Sequence, residues 1–170
     1  MNARAKENAL ATFDREWREL DTLFRRLSDS DLDRPVFTGE GPGWRVRDLI
    51  PHFAAWQERA ARAARKVSTD GIQPKVDDRL RSFLGITETV DELNDATFGS
   101  WRARSVGDLL AELEVKHADL MGALAGLSPA QLMSGDSPDD VFVCFRMPGL
   151  EHLRIHKAHL EAALTKEGAT

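Results

Sequence analysis

Leu10-Ala11-Thr12-Phe13-Asp14-Arg15-Glu16-Trp17-Arg18-Glu19-Leu20-Asp21-Thr22-Leu23-Phe24-Arg25-Arg26-Leu27 sets its apolar residues in a helical rhythm. Leu10, Phe13, Trp17, Leu20, Phe24 and Leu27 recur at alternating steps of three and four. At 3.6 residues per turn this draws one apolar stripe down a helix of about five turns. Arg15, Glu19 and Arg26 fall on the other side, so the helix is amphipathic and needs partners to cover its stripe. Ser28 and Asp29 open a polar loop, which Pro35, Gly39, Gly41, Pro42 and Gly43 keep out of helical geometry.

Reading outward, the same periodicity returns. Leu49, Phe53, Trp56, Ala60 and Ala63 predict a second helix from about Arg45 to Lys66. Pro51 inside it removes the bond to the Arg47 carbonyl and is expected to kink the helix one turn in. Ser68 to Thr87 reads mostly as a connector. A short helix follows over Thr89 to Trp101. A third main helix, Val106 to Leu127, carries Leu109, Leu110, Leu113, Leu120 and Leu124 on one face. Ser128-Pro129 starts a short turn. Met133 to Pro148 reads as a loop with an apolar run, Val141-Phe142-Val143-Cys144-Phe145, and a last helix spans Gly149 to Lys166. Four amphipathic helices with almost no alternating strand pattern predict an all-α protein: one up-down four-helix bundle over residues 1–170, with a short extra helix before the third main one.

The bulk properties narrow the function classes. The chain has 170 residues, 42% of them hydrophobic and 30% charged, with a formal charge of −5. That length suits one domain with a real core. The acidic balance offers no global attraction to nucleic acid or anionic lipid. No run of about 18 apolar residues is present to span a membrane. The first residues lack the apolar segment of a secretory signal, and the single cysteine, Cys144, excludes an intramolecular disulfide. Both features fit a cytoplasmic protein.

The histidines carry the chemistry. Of the five, His152, His156 and His159 lie on the last helix at spacings of four and three, so their directions fall within roughly 60° of one another. Leu153, Leu160 and Leu164 flank this stripe on one side, Ile155 and Ala162 on the other, which places imidazoles where a core helix would ordinarily carry leucine. Each needs a partner, because a buried polar group without one costs about 1–3 kcal/mol. Histidines at i and i+4 can reach one metal ion together. His52, on the edge of the second helix's buried face beside Trp56, is the best third ligand, with Asp48 one turn earlier placed to orient its ring. The plainer reading is that these histidines hydrogen-bond to one another, to carboxylates or to water. His117, on its own apolar stripe, reads as a satisfied core histidine, and Cys144 as an inert loop cysteine. The metalloprotease pattern HExxH is absent, so no glutamate stands between paired histidines as a general base.

Trp44-Arg45-Val46-Arg47-Asp48-Leu49-Ile50-Pro51-His52-Phe53-Ala54-Ala55-Trp56 resembles the second-helix signature of the DinB-like superfamily. Glu151-His152-Leu153-Arg154-Ile155-His156 resembles that superfamily's last-helix motif. Asp91-Glu92-Leu93-Asn94 and Leu109-Leu110-Ala111-Glu112-Leu113 are similar in kind and order. The resemblance implies a four-helix bundle, often a homodimer, among relatives that include metal-dependent hydrolases, thiol-dependent transferases and the first domain of mycothiol-dependent maleylpyruvate isomerases. A branch that resembles the colibactin-resistance proteins keeps the bundle without the full triad. The implied metal ligands are His52, His152 and His156. His159 stands where many relatives have glutamine. Arg45 replaces a capping serine or threonine.

The leading expectation is therefore a metal-dependent enzyme. Zn²⁺ or Ni²⁺ on three neutral imidazoles would keep an open position for a low-molecular-weight thiol or water. His159 would shuttle a proton, and Trp44 and Trp56 would be the cofactor-binding residues; the same tryptophans with the Val141–Phe145 loop would line the cavity of a protein that only binds. The competing expectations are a non-catalytic small-molecule-binding or self-resistance protein and a purely structural bundle.

Overall fold

The computed structural model describes residues 3–37, 43–71, 80–132 and 149–165, and within them the chain is all helical. The long elements are α1 (Ala3–Phe24), α3 (Leu49–Asp70), α6 (Val106–Ala125) and α8 (Glu151–Thr165). Between them lie α2 (Asp29–Leu32), α4 (Leu80–Leu84), α5 (Val90–Trp101) and α7 (Pro129–Leu132). The four long helices form the bundle, and α5 is the extra helix before the third main one, packed against α3. No helix of the described residues is long and apolar enough to cross a membrane.

The core follows the stripes. Phe13, Trp17, Leu20 and Phe24 of α1 are buried, as are Leu109, Leu110, Leu113, Leu120 and Leu124 of α6. On α3 the small residues Ala54, Ala60, Ala61, Ala63 and Ala64 are fully buried. Small side chains let two helix axes approach closely, and α3 makes its most extensive contact with α6. The last helix is pinned to the first from outside: Arg154 donates to both carboxylate oxygens of Glu16, at 2.7 and 2.6 Å, and Lys157 donates to Glu19 at 3.1 Å. Exposed pairs of this kind add little stability. They lie on the outer side of α8, while Leu153 and Leu160 are buried and the histidines face inward.

Two local features depart from expectation. Pro51 does not kink the middle of a helix. Val46–Asp48 form a 3-10 turn and the α-helix begins at Leu49, so the proline sits in the first α turn, where its missing N–H is least needed. The connector after the second helix is also shorter, because α3 runs on to Asp70, burying Val67, and ends on Gly71 in the left-handed region, φ 66°. Within the polar loop, Val36 donates to the Trp44 carbonyl at 2.9 Å and Val46 to that of Arg34 at 2.9 Å. This pairing holds Phe37 and Trp44 over one end of the bundle.

Candidate metal centre

Each ligand candidate is delivered by a long helix. His52 lies in the first turn of α3, and His152 and His156 lie one turn apart on α8. Their Nε2 atoms converge: His52 to His152 is 2.8 Å and His52 to His156 is 3.2 Å. His52 and His152 are buried and His156 is half-buried. Among the described residues these three form the one histidine, cysteine or carboxylate cluster able to hold a metal ion, and no carboxylate joins it.

The protonation pattern can be read from one donor. The indole N–H of Trp56 can only donate, and it points at Asn94 Oδ1 at 3.4 Å. The carbonyl oxygen of Asn94 therefore faces the site. Asn94 Oδ1 also lies 3.1 Å from His52 Nδ1, so Nδ1 carries the hydrogen and donates. The lone pair of His52 is thereby on Nε2, aimed at the two histidines of α8. A single lone pair cannot satisfy N–H groups from both at once, whereas one cation would accept a lone pair from all three. The separations fit that use: nitrogens on arms of about 2.0–2.1 Å around a tetrahedral zinc stand about 3.4 Å apart.

Electrostatics favour neutral, metal-ready rings. Burial pushes the His52 pKa down to about 3, helped by the neighbouring His156, with the bond to Asn94 opposing and the charge of Arg59 adding to the fall. Burial lowers His156 to about 4, assisted by His159, and holds His152 well below the ordinary histidine value.

Aromatic rings wall the cluster. Trp44 lies 4.7 Å from the His52 ring and stacks at 6.3 Å on His156. Trp56 meets His52 and His152 edge-on at 6.3 and 6.1 Å. Both tryptophans are half-buried, so both expected pocket residues border the triad. His159 is half-buried, with Nδ1 3.4 Å from Nδ1 of His156 and its ring edge-on to Phe37 at 4.9 Å. It thus touches a triad member from behind and stands outside the converging nitrogens.

One reading from sequence changes. Asp48 does not orient His52. In the 3-10 turn its carboxylate accepts the Arg45 backbone N–H at 2.8 Å, supplying the helix start with the acceptor that Arg45 lacks, and Asn94 of α5 takes the orienting place. Asn94 was missed because α5 is remote in sequence; it is buried at 7% relative exposure beside Leu93, Thr97 and Phe98, and an asparagine at helical spacing with Leu93 and Phe98 was the signal in the sequence. His117 is apart from the centre, stacked on Trp17 at 4.0 Å with Nε2 3.3 Å from Asp14, as a core histidine. Cys144 and the Val141–Phe145 loop lie outside the described residues.

A helical bundle with a buried three-histidine cluster open to one cation defines the class of protein. The family described as Mycothiol maleylpyruvate isomerase N-terminal domain matches residues 13–153, and the chain belongs to that family, within the DinB-like superfamily. The match takes in His52 and His152; His156 lies just beyond it. No curated protein and no solved structure gives a significant match to the chain.

Proposed function

We propose that the protein is a metal-dependent enzyme that joins a low-molecular-weight thiol to a small electrophile. His52, His152 and His156 would hold a zinc or nickel ion. The observation that carries this reading is the convergence of three neutral imidazoles on a single point, 2.8 and 3.2 Å between nitrogens, with the His52 lone pair directed there by Asn94. Such an ion, when bound, lowers the pKa of a thiol ligand and so supplies a nucleophile at neutral pH.

The chain's own residues supply the rest. Trp44 and Trp56 exclude water from two sides of the cluster and offer apolar faces to the organic parts of the reactants. With Nε2 of His156 given to the ion, its Nδ1 would carry the hydrogen and donate to Nδ1 of His159 at 3.4 Å, so His159 would hold its own hydrogen on Nε2 and orient the ligand ring, and the thiol proton would leave to solvent. The thiolate sulfur would then form the new C–S bond at an electrophilic carbon, either displacing that carbon's leaving group, which departs with the bonding pair, or adding to a double bond whose π pair moves to the neighbouring atom and takes up a proton from solvent. Hydrolysis ranks lower because cleaving a stable amide generally needs a positioned proton carrier acting on water, and no carboxylate joins the cluster.

The test combines untagged, remetallated protein with mycothiol, bacillithiol, glutathione or water against generic electrophiles, with and without Zn²⁺. Thiol consumption that depends on the ion is the expected result. Full metallation with no thiol consumption above background overturns the transferase reading.

A further inference from the structure

On the far side of the Trp44 wall lies a second cleft, with a volume of about 420 Å³. Phe98 separates the two: it meets Trp44 edge-on at 4.8 Å and lines the cleft from α5. Four arginines line it, Arg45 and Arg47 from the start of the second helical segment and Arg102 and Arg104 from the end of α5. The concentration is notable in a chain of net charge −5.

Among the described residues these charges are only partly paired. Arg45 and Arg47 share one carboxylate, Asp33, at 3.0 and 3.7 Å. Among the described residues Arg102 and Arg104 form no ion pair. Arg104 instead lies over the Trp101 ring at 4.5 Å and donates to the Asp108 carbonyl at 3.4 Å. Among the described residues Asp48 is the one carboxylate lining the cleft, and it is engaged by the Arg45 backbone N–H. The start of α3 opens beside it at Pro51, adding the positive end of a 22-residue helix.

We infer that this cleft binds the phosphoryl or diphosphoryl group of a small molecule. Guanidinium forks match phosphate oxygens two at a time, and four of them around one recess outnumber the two described carboxylates beside them, Asp33 and Asp48. Phe98 and Trp101 give the organic part an aromatic surface. The site is independent of the metal centre and stands if the transferase reading fails.

Inorganic pyrophosphate is the probe, titrated calorimetrically into full-length metal-free His156→Ala protein so that chelation cannot mimic binding. Saturable binding is expected, with a rise in melting temperature of about 5 °C or more once ligand exceeds Kd about a hundredfold. The double variant Arg102→Gln/Arg104→Gln, checked for unchanged helical circular dichroism, should bind at least about tenfold more weakly. Succinate at equal ionic strength should not saturate the site. No saturable binding up to about 10 mM, wild-type affinity in the double variant, or equal binding of succinate would each overturn the inference.

Discussion

Asn94 shows how one uncharged residue can set the chemistry of a neighbour. Its amide orientation is dictated by the Trp56 indole, and it in turn places the hydrogen on His52 Nδ1. Partners of ligating histidines typically contribute 10–100-fold to metal affinity. Asn94→Leu is thus expected to weaken metal binding by about that range in a chelator competition titration, while Asn94→Asp, which keeps the acceptor, retains it. Equal affinity in the leucine variant would mean that the His52 tautomer is set elsewhere. His156→Ala tests the cluster itself. It should abolish stoichiometric metal uptake, measured by elemental analysis of untagged protein, and leave the helical signal intact, because Leu153 and Leu160 hold α8 in the core. A variant that unfolds would make the histidines structural partners.

At the scale of the element, α5 matters because it presents Asn94. Its start is a capping box: Thr89 Oγ1 accepts the Glu92 N–H at 3.2 Å while Glu92 accepts the Thr89 N–H at 2.7 Å. Thr89→Ala should cost about 1 kcal/mol, lowering the melting temperature by about 2–4 °C. If α5 positions the site, metal affinity falls as well; a stability loss with unchanged affinity would confine the box to a structural role. The Pro51 result belongs here too. A proline read from sequence as a kink becomes harmless once a 3-10 turn precedes it, since the helix then begins at Leu49. Local rules identify the perturbation, but the chain chooses where the helix starts.

For the whole molecule the buried histidines predict a pH dependence. His52 is lowered to about 3, His117 and His156 to about 4, and His152 well below the ordinary value. In the unfolded chain each returns to about 6.5. Between the folded and unfolded values the unfolded state binds more protons, so stability rises with pH and is lost as pH falls from about 6.5 towards 4. Each such histidine contributes up to about 1.4 kcal/mol per pH unit in that window. Urea unfolding of metal-free protein at pH 7.5, 6 and 5 should show a steady loss of stability. A flat profile would mean that these rings are hydrated in the native state. Bound metal should leave over the same descent, because protons compete for the ligand nitrogens.

The apolar periodicity of α1, α3 and α6 was sufficient to establish an all-helical bundle, because an amphipathic stripe states its own buried face without reference to its neighbours. The i, i+4 histidines of α8 and their setting among leucines were equally legible, and the second-helix motif pointed to His52. Other features were decided by packing alone. Whether His52 met the α8 pair or His117 did depended on the rotation of α3 and α8 against each other. The choice of Asn94 over Asp48 as the orienting partner depended on a 3-10 turn that spent the carboxylate on a backbone N–H, and on α5 docking against α3. The arginine cleft joined residues more than fifty positions apart. Periodicity is a property of one helix, and so a sequence states it; a site is a set of distances between helices, which exists only once the core has packed.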